Sequence, residues 1–177
     1  DTDMGPVINE SQLKKIHNYV EIGKKEGAKL LMGGYFYEEG ECKKGFFYMP
    51  TIFADGHPSM RIAQEEIFGP VVLIMPVNSF EEAIEVINST NYGLSSSVYT
   101  KDINRTFKAI SDIQAGITYI NSPTIGAETH LPFGGMKNSG NGHREAGKEV
   151  LNIFSEWKAV YIDYSKRLQK AQIDTAK

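Results

Sequence analysis

Between residues 71 and 120, short apolar runs alternate with segments whose apolar residues recur at helical spacing. This alternation restricts the fold more than any other feature of the sequence. Residues 71–75 are continuously apolar, which is typical of a strand buried on both faces of a parallel sheet. Residues 95–100 and 116–120 also have strand character. Apolar residues at helical spacing lie between these runs, at Phe80, Ala83, Ile84 and Ile87 and at Ile103, Phe107 and Ile110. This β-α-β-α-β order predicts an α/β fold with a mostly parallel sheet.

Capping residues mark the starts of the predicted helices. Asn9 with Gln12, and Ser79 with Glu82, have the spacing of capping boxes, in which the first residue caps the helix and the fourth reaches back to it. Asp102 predicts the start of another helix. Further elements are expected as a strand at 29–32, a β-like stretch at 45–53, a short helix at 143–150, and a strand at 153–163 that leaves the main sheet.

The composition is that of an ordinary globular chain. It has 177 residues, of which 41% are hydrophobic and 23% charged, and its single cysteine, Cys42, excludes an internal disulfide. A net charge of −3 leaves no basic excess for a phosphate backbone, so we expect no nucleic-acid partner. No apolar run approaches the roughly 20 residues of a membrane span, and residues 1–6 lack the pattern of a signal peptide. The free thiol favours a reducing compartment, and we expect a cytoplasmic location.

Three segments are candidates for chemistry, and each has a structural alternative. Residues 64–70 place two carboxylates and an aromatic ring before an apolar run, which suits either a ligand-binding edge or a helix end. The glycine-rich residues 121–135 follow a strand and allow either close approach to a ligand or a tight turn. The His-Arg-Glu triplet at 143–145 suits either acid–base chemistry or a charged helical turn. No metal site is predicted, and the acidic neighbours of Cys42 disfavour a reactive thiolate.

A set of short motifs occurs in order along nearly the whole chain. The motifs are Gly5-Pro6, Glu26-Gly27-Ala28-Lys29, Pro50-Thr51-Ile52-Phe53, Glu65-Glu66-Ile67-Phe68-Gly69-Pro70-Val71, Asn91-Tyr92-Gly93-Leu94, Pro132-Phe133-Gly134-Gly135 and Lys137-x-Ser139-Gly140. Together they resemble the C-terminal part of the NAD(P)-dependent aldehyde dehydrogenase superfamily. Residues 123–128 and 160–165 are most similar to microbial semialdehyde dehydrogenases, among them the α-ketoglutarate semialdehyde enzymes. The resemblance implies oxidation of an aldehyde to a carboxylic acid with NAD or NADP, through a cysteine thioester.

The resemblance also implies roles for individual residues. In the family, the second Glu of the Glu-Glu-Ile-Phe-Gly-Pro motif accepts hydrogen bonds from the nicotinamide ribose, and its Phe lies by the nicotinamide. These residues would be Glu66 and Phe68 here. The family's substrate entrance would be formed by the loop that contains Thr124 and Ile125, together with Phe133.

Two departures from the family pattern limit what the resemblance implies for catalysis. Glu145 would match a family glutamate proposed as a proton relay behind the site, but His143 stands before it as an apparent extra residue. The family's nucleophilic cysteine, general-base glutamate and oxyanion-hole asparagine all lie before Asp1, and Cys42 matches none of them. We therefore expect an enzyme fragment that does not turn over alone. The alternatives are a truncated, non-catalytic paralogue that pairs subunits, and a CoA-acylating or phosphate-releasing relative.

The family fold implies a division of the chain into three parts. Residues 1–150 would be the C-terminal portion of the catalytic α/β domain, residues 151–165 an oligomerisation strand, and residues 166–177 a polar tail. A homo-oligomer, dimer or tetramer, is expected to form through that strand. Trp157 and Tyr161 would then lie in the interface, the alternative being that both pack within their own chain.

Overall fold

The computed structural model describes residues 4–167, so the features predicted at 1–3 and in most of the polar tail, 168–177, lie outside it. Its helices are α1 (Glu10–Lys25), α2 (Arg61–Gln64), α3 (Phe80–Asn88) and α4 (Ile103–Asp112). Its strands are β1 (Lys29–Met32), β2 (Thr51–Ala54), β3 (Val71–Leu73), β4 (Tyr92–Gly93), β5 (Ser95–Val98), β6 (Ile117–Ile120) and β7 (Met136–Lys137). Short 3-10 helices occupy Gly40–Lys44 and Lys148–Asn152. Across the described residues, no helix has the length and apolarity that crossing a membrane requires.

The strands form three small sheets. β2 lies between β1, to which it is antiparallel, and β3, to which it is parallel. β5 and β6 form a second parallel pair, and β4 pairs with β7 in the antiparallel sense. The predicted parallel pairing is therefore present. Within residues 4–167, however, β3 pairs with β2 and not with β5, so the β-α-β-α-β run is divided between two sheets.

The hydrophobic core lies between α1 and the first sheet. Ile16 and Val20 of α1 and Phe53 of β2 are fully buried, and Tyr48 and Ile62 belong to the same cluster. The spacing of Ile16 and Val20 places both side chains on one face of the helix. The position of α1 is thus set by burial of that face against β2, and this position determines what else α1 can reach.

The helix caps are mostly as predicted. Asn9, Ser79 and Asp102 cap α1, α3 and α4, and each side chain accepts a hydrogen bond from a backbone N–H of the first turn. The Glu82 carboxylate accepts a hydrogen bond, at 2.6 Å, from the backbone N–H of Asn78, the residue before the cap Ser79. The second half of the first capping box is wrong, because the Gln12 amide bonds a distant segment and does not reach back.

Two apolar patterns are more exposed than predicted. Residues 71–75 were expected to be buried on both faces, but β3 is an edge strand of its sheet and Val72 is 57% exposed. Only the face of β3 that packs on the core is half-buried. On α4, the residues predicted to share an apolar face are all exposed, namely Ile103, Phe107 and Ile110. That helix is anchored through its opposite face, where Ala109 is fully buried.

The C-terminal segment also differs from the prediction. The helix expected at 143–150 is a short 3-10 helix at Lys148–Asn152, and residues 153–163 form no strand with any described part of the chain. Trp157 and Tyr161 are 93% and 94% exposed. Neither ring packs against the described residues of this chain.

Lys137 ties β7 to the end of α3. Its Nζ donates hydrogen bonds to the carbonyls of Asn88 and Thr90, at 2.7 and 2.9 Å. The Asn88 side chain donates to the Asp112 carbonyl and accepts from the Gln114 N–H, both at 2.8 Å. The last carbonyls of a helix have no partner within it, so a cation and an amide placed here satisfy them. The ends of α3, α4 and β7 are thereby held together.

Candidate functional site

A cleft of about 540 Å³ lies between the segment that precedes β3 and the β4–β5 region. One wall carries the carboxylates of Glu65 and Glu66. The opposite walls carry hydroxyl and amide groups, those of Thr90, Tyr92, Ser95, Ser96, Asn138 and Ser139. Ser139 Oγ accepts a hydrogen bond from the Gly93 N–H at 3.1 Å, which fixes the β4–β7 corner of the cleft. Apolar side chains such as Ile87, Leu94 and Ile113 complete the lining, so the cleft combines an acidic wall and hydroxyl groups with apolar surface.

The two neighbouring carboxylates have different surroundings. Glu65 accepts hydrogen bonds from Arg61 Nε at 2.9 Å and Arg61 Nη2 at 2.9 Å, and from the Tyr19 hydroxyl at 2.7 Å. These donors, the guanidinium first and the hydroxyl second, lower the pKa of Glu65 to about 2. Among residues 4–167, by contrast, no side chain or backbone N–H lies within hydrogen-bonding distance of the Glu66 carboxylate. Glu66 is exposed and its carboxylate is available to accept hydrogen bonds from outside the chain.

The backbone after Glu66 is held in an uncommon conformation. Phe68 has φ of +57°, a left-handed value that non-glycine residues rarely adopt. Gln12 Nε2 donates to the carbonyls of Ile67 and Phe68, at 2.9 and 2.8 Å. Lys15 Nζ donates to the Glu66 carbonyl at 3.2 Å. With its backbone fixed in this way, the Phe68 ring is left 72% exposed.

Gly69 lets the same segment approach the core closely. A Cβ atom at this position would lie 2.5 Å from side-chain atoms of Ile16, which is fully buried in α1. Only a glycine allows this backbone to lie against that side chain. The next residue continues into the sheet, where the Pro70 carbonyl accepts a hydrogen bond from the Thr51 N–H of β2 at 2.8 Å.

A second cleft, of about 330 Å³, brings Phe133 and Glu145 together. The two residues exchange backbone hydrogen bonds, from Phe133 N–H to the Glu145 carbonyl at 2.6 Å and from Glu145 N–H to the Phe133 carbonyl at 2.7 Å. His143 lies in the lining of this cleft, and Glu145 is exposed at its edge. Leu94 and Ser139 line both clefts, so the two are neighbours without being one cavity.

The loop that contains Thr124 and Ile125 lies outside both clefts. Ile125 is 80% exposed. The loop is pinned at Gly126, whose carbonyl accepts a hydrogen bond from the Tyr119 hydroxyl at 2.6 Å. The structure thus groups Glu66 with the first cleft and Phe133 with Glu145 in the second. It leaves Phe68, Thr124 and Ile125 on exposed surface.

Sequence reasoning missed the side chains that hold the acidic wall. The sequence predicted a capping role for Gln12 and no role for Lys15, Tyr19 or Arg61. Two signals were available: the i,i+4 spacing of Arg61 and Glu65, and the position of Gln12, Lys15 and Tyr19 beside Ile16 on a single helix face. That pattern does not say which distant backbone the face will meet. In the same described residues, no three His, Cys, Asp or Glu side chains converge as they would around a metal ion.

Comparison with known proteins gives consistent results. The sequence pattern of the "Aldehyde dehydrogenase family" matches residues 1–160. An alpha-ketoglutaric semialdehyde dehydrogenase of Bacillus subtilis is 42% identical over 162 residues, covering 92% of this chain and 33% of that protein. An alpha-ketoglutarate semialdehyde dehydrogenase of Haloferax volcanii is 41% identical over 165 residues, covering 93% and 34%.

Solved structures show the same relationship. The NAD-dependent aldehyde dehydrogenase of Sinorhizobium meliloti superimposes with a TM-score of 0.88 at 38% identity, over 95% of this chain and 32% of that one. The Mycobacterium tuberculosis aldehyde dehydrogenase, solved in complex with NAD+, gives a TM-score of 0.85 at 40% identity, over 93% and 33%. The predicted aldehyde-dehydrogenase-like α/β fold is therefore confirmed over this stretch.

The chain spans about a third of the length of the curated relatives it matches. Within that third, the family pattern covers almost the whole chain, the two semialdehyde dehydrogenases are 41–42% identical to it, and the fold superimposes on solved enzymes. The resemblance carried by the ordered motifs is confirmed by each of these comparisons. This chain belongs to the aldehyde dehydrogenase family.

Proposed function

We propose that this chain supplies the nicotinamide-ribose side of the cofactor site, and part of the substrate entrance, of an oxidoreductase that converts an aldehyde to a carboxylic acid. The cofactor, NAD or NADP, would accept the hydride, and a cysteine outside this chain would carry the acyl group as a thioester. The observation that carries the proposal is the difference between the two adjacent carboxylates. Glu65 is fully engaged within the chain, whereas Glu66 is exposed and free to accept hydrogen bonds.

The residues of the segment fit a nicotinamide ribose. A carboxylate only accepts hydrogen bonds, and a ribose offers two neighbouring hydroxyl donors, so Glu66 could bind both. Charge-assisted hydrogen bonds of this kind are stronger than neutral ones. The exposed Phe68 ring offers a flat apolar surface next to that carboxylate, suited to lie against a heterocycle. Solved relatives include an enzyme described as NAD-dependent and another in complex with NAD+, which supports this assignment.

The proposed substrate entrance comprises Thr124, Ile125 and Phe133, with Glu145 as a proton relay behind it. Support comes from the backbone pairing of Phe133 with Glu145, which places a carboxylate-bearing residue at the edge of the second cleft. The exposure of Ile125 leaves its side chain able to contact a substrate that approaches from solvent. The aldehyde itself is proposed only as a class, because the relatives named above act on semialdehydes and others on different aldehydes.

Assembly and location complete the proposal. We place a homo-oligomer contact in residues 151–165, after a catalytic-domain portion at 1–150, because the aromatic side chains there are exposed. Large exposed apolar patches of this kind are typical of interaction surfaces. The lone thiol of Cys42 supports a cytoplasmic location.

The substitution Glu66→Gln in the full-length gene product tests the proposed cofactor role. Hydrogen bonds to charged groups contribute about 1.5–3 kcal/mol, which corresponds to a loss of about 10- to 150-fold. We expect a loss in this range in dinucleotide affinity or in the hydride-transfer rate, measured by stopped-flow absorbance of the reduced nicotinamide. Glu38→Gln, which neutralises an exposed carboxylate on a distant loop, is the matched control. Unchanged affinity and unchanged hydride transfer in Glu66→Gln would remove Glu66 from the site.

A further inference from the structure

One face of α1 contacts five consecutive residues of the acidic segment, 65–69. The face is formed by residues at i, i+3, i+4 and i+7, which share one side of a helix, namely Gln12, Lys15, Ile16 and Tyr19. The three polar members contact the segment in reverse order along the chain: Tyr19 bonds the Glu65 carboxylate, Lys15 the Glu66 carbonyl, and Gln12 the carbonyls of residues 67 and 68. We call these four residues the α1 cradle.

The cradle holds the segment in a conformation that it would not favour alone. Phe68 lies in the left-handed region, at φ of +57°. Such a conformation persists only where the surrounding structure over-determines it. Gln12 donates to the carbonyls on either side of the Phe68 backbone nitrogen, Ile67 O and Phe68 O, and Ile16 contacts the following Gly69. The cradle thus brackets the strained residue from both sides.

The two neighbouring carboxylates, those of Glu65 and Glu66, differ in their hydrogen-bond partners. Tyr19 and Arg61 donate to Glu65, and this leaves its neighbour without a competing intramolecular partner among the described residues. Lys15 is bonded to the Glu66 backbone carbonyl, at 3.2 Å, and not to the Glu66 carboxylate. A lysine placed there fixes the main chain of Glu66 while its side chain remains free.

We propose that the α1 cradle is a positioning device for the dinucleotide site: it fixes the backbone of residues 65–69 so that the Glu66 carboxylate is presented, free of intramolecular bonds, to the nicotinamide ribose. The inference rests on the proposed role of Glu66. Gln12, Lys15 and Tyr19 are positioning residues in this account, since they act on the cofactor through Glu66 and do not touch it.

The substitution Gln12→Glu tests whether Gln12 positions residues 65–69, as distinct from whether it is needed for α1 to form. Gln12 is the third residue of a helix capped by Asn9, a position where glutamate is favourable, so the gain at the helix N-terminus offsets part of the lost contacts and we expect α1 to form and the full-length protein to fold. A carboxylate, however, cannot donate to the carbonyls of residues 67 and 68. We therefore expect the segment to loosen although the helix is intact.

Two readouts follow this loosening in the full-length protein. Chymotryptic cleavage after Phe68, quantified by mass spectrometry without cofactor or substrate, should be faster in Gln12→Glu by about tenfold, the effect of losing one or two net hydrogen bonds. The dissociation constant of NADH, measured by fluorescence, should rise by a similar factor. Asn18→Asp is the matched control, because it makes the same amide-to-carboxylate change at an exposed position of α1 outside the cradle.

Tyr19→Phe provides a second, independent variant. It removes the hydrogen bond to Glu65, and Tyr37→Phe is its control, because Tyr37 also bonds a glutamate, Glu39, in an exposed loop. Faster cleavage and weaker NADH binding in both cradle variants, and in neither control, would support the proposal. Unchanged cleavage and binding in both cradle variants, while Glu66→Gln still weakens NADH binding, would overturn it. Unchanged NADH binding in Glu66→Gln would instead overturn the proposed function, whatever the cleavage rates.

Discussion

At the scale of single residues, the different neighbours of Glu65 and Glu66 leave two adjacent carboxylates with different capacities to bind a ligand. Glu65 is held by a bidentate guanidinium from Arg61, one helical turn earlier, and by the Tyr19 hydroxyl. A carboxylate bonded in this way has little remaining capacity for a ligand. Glu66, exposed and without such donors in the described structure, keeps its capacity to accept. The proposed cofactor role of Glu66 rests on this difference in contacts.

The pH dependence of stability tests the Glu65 contacts. The pKa of Glu65 is lowered from its ordinary 4.5 to about 2, so the ion pair stabilises the folded protein fully above pH 4.5, and this contribution is lost as the pH falls towards 2. We expect Glu65→Gln to lower the urea midpoint of the full-length protein at pH 7, and the difference from wild type to shrink as the pH falls below 4.5. Glu38→Gln is the control. A difference that is the same at pH 7 and at pH 3 would contradict the account.

The sequence indicated that residues 64–70 could bind a ligand, but it did not indicate which of the two carboxylates would be free to do so. Two carboxylates and an aromatic ring before an apolar run indicated a ligand edge as one of two possibilities, and the choice of Glu66 came from the family resemblance. The local sequence offers one difference, Arg61 four residues before Glu65, but the second donor, Tyr19, lies 46 residues away along the chain. A contact of that separation depends on how α1 packs, which local patterns do not encode.

At the scale of secondary-structure elements, local chemistry predicted where helices begin and tertiary packing decided which faces are covered. The caps at Asn9, Ser79 and Asp102 were predictable because a cap bonds residues two or three positions away. Local patterns did not predict which faces of β3 and α4 are buried. α4 has apolar residues on two sides, and the structure covers the side with Ala109 and exposes the side with Phe107. Periodicity identifies apolar faces but does not say which partner, if any, lies against each.

The exposed C-terminal segment leads to a prediction about assembly. Trp157 and Tyr161 contact nothing that would bury them in the described chain, so replacing both with serine should leave the fold intact. Truncation of an aromatic residue at the centre of an interface costs about 2 kcal/mol or more, so the double variant should dissociate at concentrations where the wild type is assembled. Native mass spectrometry of the full-length protein measures this directly.

The control for the assembly prediction is Ile8→Ser, which removes another highly exposed apolar side chain far from this segment along the chain. Deletion of residues 154–177 should have the same effect on native mass as the double substitution. An unaltered native mass in both would show that the segment does not hold subunits together, and the assembly proposal would fall without affecting the cofactor proposal.

At the scale of the whole molecule, two parts of the chain contribute the walls of a cleft that mixes charged, hydroxyl and apolar groups. The first part, α1 with the β1–β2–β3 sheet, contributes the acidic wall, and the β4–β5 region with β7 contributes the hydroxyl-bearing wall. Lys137 and Asn88 hold the second wall in place by satisfying the ends of α3 and α4. The fold class could be predicted from the alternation of short apolar runs with apolar residues at helical spacing. The cleft could not be predicted, because its walls come from four separate segments of the chain, 63–66, 87–96, 113–115 and 138–139.

The central claim is that Glu66 of this chain binds the nicotinamide ribose, and a crystal structure of the full-length protein with NAD+ tests it most directly. We predict that the Glu66 carboxylate oxygens lie within about 3 Å of the ribose hydroxyls, the distance of a hydrogen bond. Glu65 should remain bonded to Arg61 and Tyr19, as it is in the chain alone. A bound NAD+ whose nicotinamide ribose lies away from Glu66, or is held by Glu65 in its place, would contradict the account.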